Sequence, residues 1–226
     1  MGQIAKKTDA QFKAEVVQEL RWDTRVKETA VGVEVDRGIV TLTGTVDSWA
    51  ARLAAQEAAH RVAGVLDVAN DLHVKLPTST ERTDADIARA VRSALEWDVL
   101  VPDQRIHSTV SDGVVTLTGA VDYWKEHDDA GRAVRNLAGV REVKNIITIE
   151  PHATTQVHLE NVRHAIEAAL ERHLARAANH VNIVIRDGTI LLTGEIPSWA
   201  EHAAVLGAVR GTPGVAKIDD QLRIAD

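Results

Sequence analysis

The stretch DGVVTLTGAVDYW, from Asp112 to Trp124, decides the fold of this chain. Asp-Gly is a strong β-hairpin signal, because both central residues of a type I′ turn require positive φ. The apolar residues that follow alternate with threonines, which is typical of a strand with one covered face. The stretch therefore predicts a tight turn, a return strand, a second bend and the start of a helix.

The same pattern occurs twice more in the 226 residues, as RGIVTLTGTVDSW from Arg37 and as DGTILLTGEIPSW from Asp187. Landmark residues recur in the three copies at a spacing of 75. These landmarks are Gly38, Gly113 and Gly188; Gly44, Gly119 and Gly194; Trp49, Trp124 and Trp199; and Gly64, Gly139 and Gly214. A fixed period indicates a structural repeat. We predict three domains, at residues 1–77, 84–151 and 155–226, each large enough for a modest core.

Each repeat predicts the element order α-β-β-α-β. A capping box of Thr8 and Gln11 opens the first helix, and apolar residues continue at helical spacing. Two strands flank the hairpin turn, a second helix starts at the tryptophan, and a last strand follows a glycine. The predicted fold class is α+β: three tandem αββαβ units, each a three-stranded mixed sheet with two helices on one face and a wet opposite face.

Two sets of glycines are predicted to be structural turn residues. The hairpin set supplies positive φ, and the second set marks a bulge in the return strand or a point where a helix packs close. The hairpin set is Gly38, Gly113 and Gly188, and the second set is Gly44, Gly119 and Gly194. Neither set needs a reactive side chain, so the recurring phrase is interpreted as a folding signal.

Composition excludes several classes of function. The chain has 26 Lys and Arg against 33 Asp and Glu, a net charge of −7, without the basic face expected of a nucleic-acid-binding protein. It has no Cys, which excludes thiolate metal sites and a cysteine nucleophile. We find neither a transmembrane run nor a signal peptide. The predicted location is cytoplasmic or membrane-peripheral, or periplasmic or envelope if a leader has been removed.

Catalytic and metal-binding patterns are weak. No His recurs in all three repeats, and His158, His164, His173 and His180 lack the spacing of a helical zinc pair. Because an acid and base pair is missing too, we predict no enzyme activity, no metal site and no cofactor. A recurring polar position, Asn70, Asn145 and Asp220, interrupts the apolar face of the last strand. It predicts either a small polar or ion-binding pocket, or a bulge whose side chain satisfies backbone groups.

The tryptophans are the best binding candidates, since five of the seven aromatic residues are Trp. Trp49, Trp124 and Trp199 stand at the first turn of the second helix, and Trp22 and Trp97 near the end of the first helix. Trp is amphipathic and suits a boundary between water and an apolar phase. These residues are therefore either exposed anchors or staples that pack on the sheet edge or a neighbouring repeat.

The α-β-β-α-β order, the hairpin phrase, the following helix and the run from Gly139-Val140 to Val143 and Asn145 resemble BON domains, also called transport-associated domains. The resemblance covers nearly the whole chain in three copies. It implies an αββαβ fold, no known catalytic residues, and binding to phospholipid surfaces. It also implies a link to osmotic stress or envelope integrity in bacteria.

Two hypotheses follow. The first is a non-catalytic BON-type protein that docks on phospholipid or envelope-protein surfaces in osmotic or envelope stress and forms homo-oligomers. The second is an oligomeric transport-associated protein, or a soluble carrier or sensor that binds an ion or small molecule between units. Repeated weak binding units favour the first, because linked units gain avidity on an extended partner.

Overall fold

A computed structural model describes residues 7–150, 181–186, 189–212 and 215–225. The chain divides into two compact units. The first unit contains residues 1–75 together with Pro197–Ala200 and Ile224–Asp226, and the second contains Leu76–Ile196 and Glu201–Arg223. The fold is the predicted α+β class, and each sequence repeat contributes a mixed arrangement of helices and strands.

The first repeat has the predicted element order. Its elements are α1 (Asp9–Trp22), β1 (Val31–Asp36), β2 (Ile39–Val46), α2 (Trp49–Arg61) and β3 (Asp67–Val74). The sheet order is β1-β2-β3, with β1 antiparallel and β3 parallel to β2. A parallel neighbour needs a crossover, and α2 supplies it between β2 and β3.

The second repeat follows the same order with one change. Its elements are α3 (Asp84–Trp97), β4 (Ile106–Ser111), β5 (Val114–Val121), α4 (Trp124–Val134), β6 (Glu142–Asn145) and β7 (Thr148–Ile149). Both β6 and β7 run parallel to β5, so they are two halves of one last strand. The interruption falls at Ile146 and Ile147, directly after Asn145.

The described part of the third repeat contains its hairpin, second helix and last strand. These elements are β8 (Val181–Arg186), β9 (Thr189–Ile196), α5 (Trp199–Arg210) and β10 (Lys217–Ile224). The sheet order is β10-β9-β8, which matches the other two repeats. The predicted first helix, the histidines from His158 to His180 and the glycines Gly188 and Gly214 lie outside the described residues.

The apolar pattern of the sequence forms the core. In the first repeat the α1 stripe of Phe12, Val16 and Leu20 is buried, and the predicted capping box of Thr8 and Gln11 is present. The small alanines of α2 and the inner face of β2 belong to the same apolar cluster. Both helices therefore pack on one face of the sheet. Corresponding residues form a second cluster in the second repeat.

The two predicted glycine sets have different roles. Gly38 and Gly113 follow Arg37 and Asp112, and φ is positive at both residues of each turn, as a type I′ hairpin requires. The second set, Gly44, Gly119 and Gly194, lies inside β2, β5 and β9, so grouping these glycines with turns was wrong.

Of the two expected causes, a bulge does not explain Gly44 and Gly119, and the close helix is a short 3₁₀ turn, Glu28–Ala30 or Asp103–Arg105, rather than an α-helix. Gly44 and Gly119 are the last residues of β2 and β5 to pair with β1 and β4, and the register with the last strand is the same on both sides of each glycine. A Cβ at Gly44 would stand 2.3 Å from the carbonyl oxygen of Ala30, and at Gly119 it would stand 2.2 Å from that of Arg105. The close neighbour is therefore the backbone just before the first strand. Glycine also accommodates the positive φ at these positions.

Candidate docking surface

Trp124 and Trp199, at the start of α4 and α5, are half-buried. Trp124 packs against the apolar cluster of the third repeat, and the Arg210 guanidinium lies 5.0 Å from its ring centroid. Arg210 also lies 3.7 Å from the carboxylate of Asp128. Within the second unit, Trp124 thus links the second repeat to the third, which is the packing role that the sequence left open.

Trp199 has a similar environment inside the first unit. Its indole stacks on the ring of His60 with 4.5 Å between centroids, and its Nε1 donates a hydrogen bond to the Leu66 carbonyl oxygen at 3.2 Å. Trp49 lies beneath the guanidinium of Arg52, 5.1 Å from the ring centroid. All three helix-start tryptophans are therefore held by intramolecular partners.

Trp22 and Trp97 are placed differently. They are the last residues of α1 and α3, and their exposed fractions are 69% and 85%. Both follow two residues after a core leucine, Leu20 or Leu95, so the helical rotation carries them away from the core stripe. Burial of a large aromatic ring such as that of Trp is strongly favourable. An exposed Trp is therefore stabilised when a partner covers it.

The Trp97 end of the second repeat carries further exposed apolar residues. Val99 and Leu100 follow directly in the turn before β4, with exposed fractions of 94% and 51%. Two hydrogen bonds order this turn: Leu100 donates its N–H to the Asp98 carboxylate, and Val101 donates to the Asp98 carbonyl. We name Trp97, Val99 and Leu100 the apolar turn. It is short, ordered by local bonds, and projects its side chains into solvent.

The apolar turn lies at the end of the repeat away from the hairpin. The opposite end of α3 is fixed to the hairpin, because the Asp84 carboxylate accepts the N–H groups of Asp112 and Gly113. Tyr123 lies at the same end as the turn, since Arg105 just before β4 pairs with Asp122 at 2.8 Å. The half-exposed Tyr123 replaces Ser48 and Ser198 of the other repeats. Four large apolar or aromatic residues thus share one end of the second repeat.

The corresponding turn of the first repeat is polar. Thr24 and Arg25 stand where the second repeat has Val99 and Leu100. Arg25 binds both carboxylate oxygens of Asp23, at 2.9 and 2.8 Å, and reaches Glu57 at 2.8 Å. The hydrogen bonds from Arg25 hold the pKa of Asp23 well below its usual range. Two turns with similar backbone hydrogen bonds therefore differ in surface chemistry.

Carboxylates surround the apolar turn. Glu96 and Asp98 flank Trp97, and Asp103 follows before β4. Arg92 lies 2.7 Å from Glu96 and also pairs with Asp103. The nearby guanidinium groups are thus already engaged with acidic partners. The local charge balance at the turn is negative, in keeping with the charge of the whole chain.

The recurring Asn position fastens the last strand to the second helix. Asn70 Nδ2 donates to the carbonyl of Arg52, and its Oδ1 accepts the N–H of Leu72. Asn145 makes the same pair of bonds, to His127 and from Ile147. The side chains therefore satisfy backbone groups, as one of the two sequence-based alternatives proposed. In the third repeat the Asp220 Oδ1 also accepts the N–H of Leu222, and its carboxylate pairs with His202 of the helix at 2.8 Å.

Two further findings concern the described residues. None of their His, Asp and Glu side chains form a group of three or more that would suit a metal ion. Among the helices described, none is both long and apolar enough to span a bilayer. The exposed apolar turn is thus the feature of this part of the chain that most resembles an interaction site.

Sequence reasoning selected Trp97 but missed Val99, Leu100 and Tyr123. A signal for them was present in the repeat alignment, because each replaces a polar residue of the first repeat. These residues are binding candidates only because they are exposed, and the alternation of apolar residues does not reveal exposure. The same residue types occur at the tip of a turn and in a buried strand.

Comparison with known proteins agrees with this architecture. The BON domain family matches the chain at residues 8–75, 83–151 and 159–226. The protein belongs to the BON domain family and carries the domain in three tandem copies. Osmotically-inducible protein Y of Escherichia coli strain K12 is 33% identical to it over 141 residues, which cover 61% of this chain and 70% of that protein.

Two solved structures of CdsD, a structural protein of the type III secretion system of Chlamydia trachomatis, are also similar. They are 14% and 12% identical and cover 94% and 100% of this chain, and 92% and 100% of their own. Their TM-scores are 0.25 and 0.26. These scores are too low for the similarity to bear on fold or function.

Proposed function

We propose that this BON protein is a non-catalytic, peripheral membrane protein that docks on phospholipid surfaces through the apolar turn of its second repeat. The observation that carries the proposal is the exposure of Trp97, Val99 and Leu100 on an ordered turn. Its similarity to an osmotically inducible protein supports a role in osmotic or envelope stress.

The shape of the site favours a lipid over a protein as the partner. Hot-spot residues of protein interfaces lie in well-packed pockets near the centre of a patch. The apolar turn is instead a protruding tip, with Val99 almost fully exposed. A tip of this kind enters the boundary between headgroups and acyl chains, where Trp is preferred.

The expected affinity is modest. Burial of a large apolar side chain contributes about 1.5–3 kcal/mol, and three residues on one turn therefore contribute on the order of 5 kcal/mol before the cost of association. An interaction of this size is reversible. Other contacts, such as Tyr123 at the same end or a second protein copy, would add to it through effective concentration.

The test replaces residues of the apolar turn by their counterparts in the first repeat. The double variant Val99→Thr, Leu100→Arg gives the second repeat the residue types of Thr24 and Arg25, and the hydrogen bonds to Asp98 are expected to remain. The control is Ile146→Asp, which replaces another exposed apolar residue by its first-repeat counterpart, Asp71, in the middle of the last strand. Both variants are expected to keep the far-ultraviolet circular dichroism of the parent.

Flotation with phosphatidylcholine vesicles then measures docking. We expect the parent chain and the Ile146→Asp control to float with the vesicles and the double variant to stay in the dense fraction. Equal flotation of parent and double variant, or no flotation of the parent on any vesicle, would contradict the proposal. Binding of the same turn to a protein rather than to lipid would contradict the lipid proposal and would favour an envelope protein as the partner.

A further inference from the structure

We infer that the apolar turn discriminates by lipid charge: it prefers neutral, zwitterionic phospholipids, whose headgroups end in an ammonium group, over anionic phospholipids. The inference rests on the proposed docking and concerns its specificity. It follows from the combination of an exposed Trp with carboxylates on both sides, Glu96 and Asp98.

The charges around the turn carry the argument. α3 and the turn carry three carboxylates, Glu96, Asp98 and Asp103, and the Arg92 guanidinium pairs with the first and the third. Asp98 has no guanidinium contact among the ion pairs of the described residues and instead accepts the Leu100 N–H. The cationic groups nearest the tip are therefore neutralised, and a carboxylate remains beside the apolar side chains.

On the other element at this end, the cations Arg105, Lys125 and Arg132 each have a carboxylate partner. On the bend before α4, Arg105 pairs with Asp122, and the Glu126 carboxylate accepts the N–H groups of Asp122 and Tyr123. Lys125 and Arg132 both pair with the buried Asp129, at 2.8 and 2.6 Å. The cations of this element are thus held by carboxylates, and the acidic excess lies at the apolar turn itself.

This arrangement complements a zwitterionic surface. An anionic leaflet attracts basic segments and repels acidic ones within about one Debye length, which is ~8 Å at physiological salt. The outermost group of a phosphatidylcholine or phosphatidylethanolamine headgroup is an ammonium. Carboxylates attract it, and the face of an exposed Trp binds quaternary ammonium groups through the ring quadrupole. Insertion of the apolar residues then takes place without charge repulsion.

The experiment compares two vesicle surfaces at two salt concentrations with the full chain. Vesicles of phosphatidylcholine alone and vesicles in which a third of the lipid is phosphatidylglycerol are titrated at ~0.01 M and ~0.15 M salt. At low salt we expect binding to the anionic vesicles to be about fivefold weaker for each unscreened carboxylate, so at least fivefold weaker in total. Added salt should reduce this difference and change binding to neutral vesicles much less, because that binding rests mainly on apolar insertion.

A matched variant separates charge from shape. Glu96→Gln with Asp98→Asn keeps the side-chain size and the oxygen that accepts the Leu100 N–H, while it removes two negative charges. We expect this variant to bind the anionic vesicles at low salt nearly as well as the neutral ones. Retained preference for neutral vesicles in the variant, or tighter binding of the parent to anionic vesicles, would overturn the inference and leave docking itself intact. Absence of binding to both vesicles would overturn docking and the inference together.

Discussion

Asp84 and Gly113 are joined across one end of the second repeat: the Asp84 Oδ1 accepts the Gly113 N–H at 2.9 Å, and its Oδ2 accepts the neighbouring Asp112 N–H at 2.8 Å. The first repeat has the same arrangement, with the Asp9 carboxylate bound to the N–H groups of Arg37 and Gly38. The first residue of the first helix thus fixes the hairpin turn. The third repeat has Leu159 at this position.

The first prediction concerns the loss of this contact. Asp84→Leu gives the second repeat the residue type found in the third and leaves two turn N–H groups without their acceptor. We expect a loss of about 1–3 kcal/mol in the free energy of unfolding, because hydrogen bonds to a charged group are stronger than neutral ones. Urea denaturation measures it. Asp84→Asn keeps one acceptor oxygen, so its free energy of unfolding should fall by less. Equal losses in the two variants would argue that the carboxylate does not hold the turn.

The second prediction concerns the glycine inside β5. Gly119→Ala places a Cβ 2.2 Å from the Arg105 carbonyl oxygen, at a φ of +129° that side chains rarely adopt. We expect a loss of about 2–4 kcal/mol, the sum of backbone strain and displacement of the neighbouring strand. The control is Gly207→Ala in α5, where nothing lies within 4 Å of the new Cβ. That change should stabilise the helix by about 0.5–1 kcal/mol, and similar losses at both sites would refute this explanation.

The third prediction concerns acid stability in the first repeat. The Arg25 hydrogen bonds lower the pKa of Asp23 from its usual 3.8, so the folded state favours the ionised carboxylate. A lowered pKa contributes stability that is present above 3.8 and is lost as the pH falls through the folded value. Asp23→Asn should therefore cost on the order of 1–2 kcal/mol at neutral pH, and the difference from the parent should shrink below pH ~4. A difference that is independent of pH would contradict the assignment.

The fourth prediction separates the two groups of tryptophans. Trp124→Ser removes a half-buried ring that packs on the apolar cluster of the third repeat, and we expect a loss of about 2–3 kcal/mol. Trp22→Ser removes an exposed ring and should change the free energy of unfolding by less than about 0.5 kcal/mol. Denaturant midpoints of the two variants measure the contrast. If Trp22→Ser proved the more destabilising, the assigned burial would be wrong.

Much of the fold follows from periodicity. The alternation of Val40, Leu42 and Val46 and the helical spacing of Phe12, Val16 and Leu20 reflect burial directly, and these residues form one cluster. The role of Gly119 was beyond such reasoning. Its constraint is the carbonyl of Arg105, a residue 14 positions earlier that only the folded sheet brings into contact.

The candidate site was less predictable than the fold. The enrichment in Trp selects all five tryptophans equally, yet Trp199 stacks on His60 while Trp97 is exposed. The difference arises from contacts between distant repeats, which spacing within one repeat does not encode. The contrast between Val99 and Thr24 was readable from the sequence, but its meaning depends on the exposure of the turn.

The most direct test of the account follows the tip of the apolar turn into the bilayer. Because the chain has no Cys, Val99→Cys gives a single attachment site for an environment-sensitive fluorophore, and Thr24→Cys gives a matched exposed site on the first repeat. On addition of phosphatidylcholine vesicles, we expect the probe at position 99 to shift to the blue and brighten, and the probe at position 24 to change much less. An equal response at both positions, or an unchanged spectrum at position 99 while the protein floats with the vesicles, would contradict docking through the apolar turn.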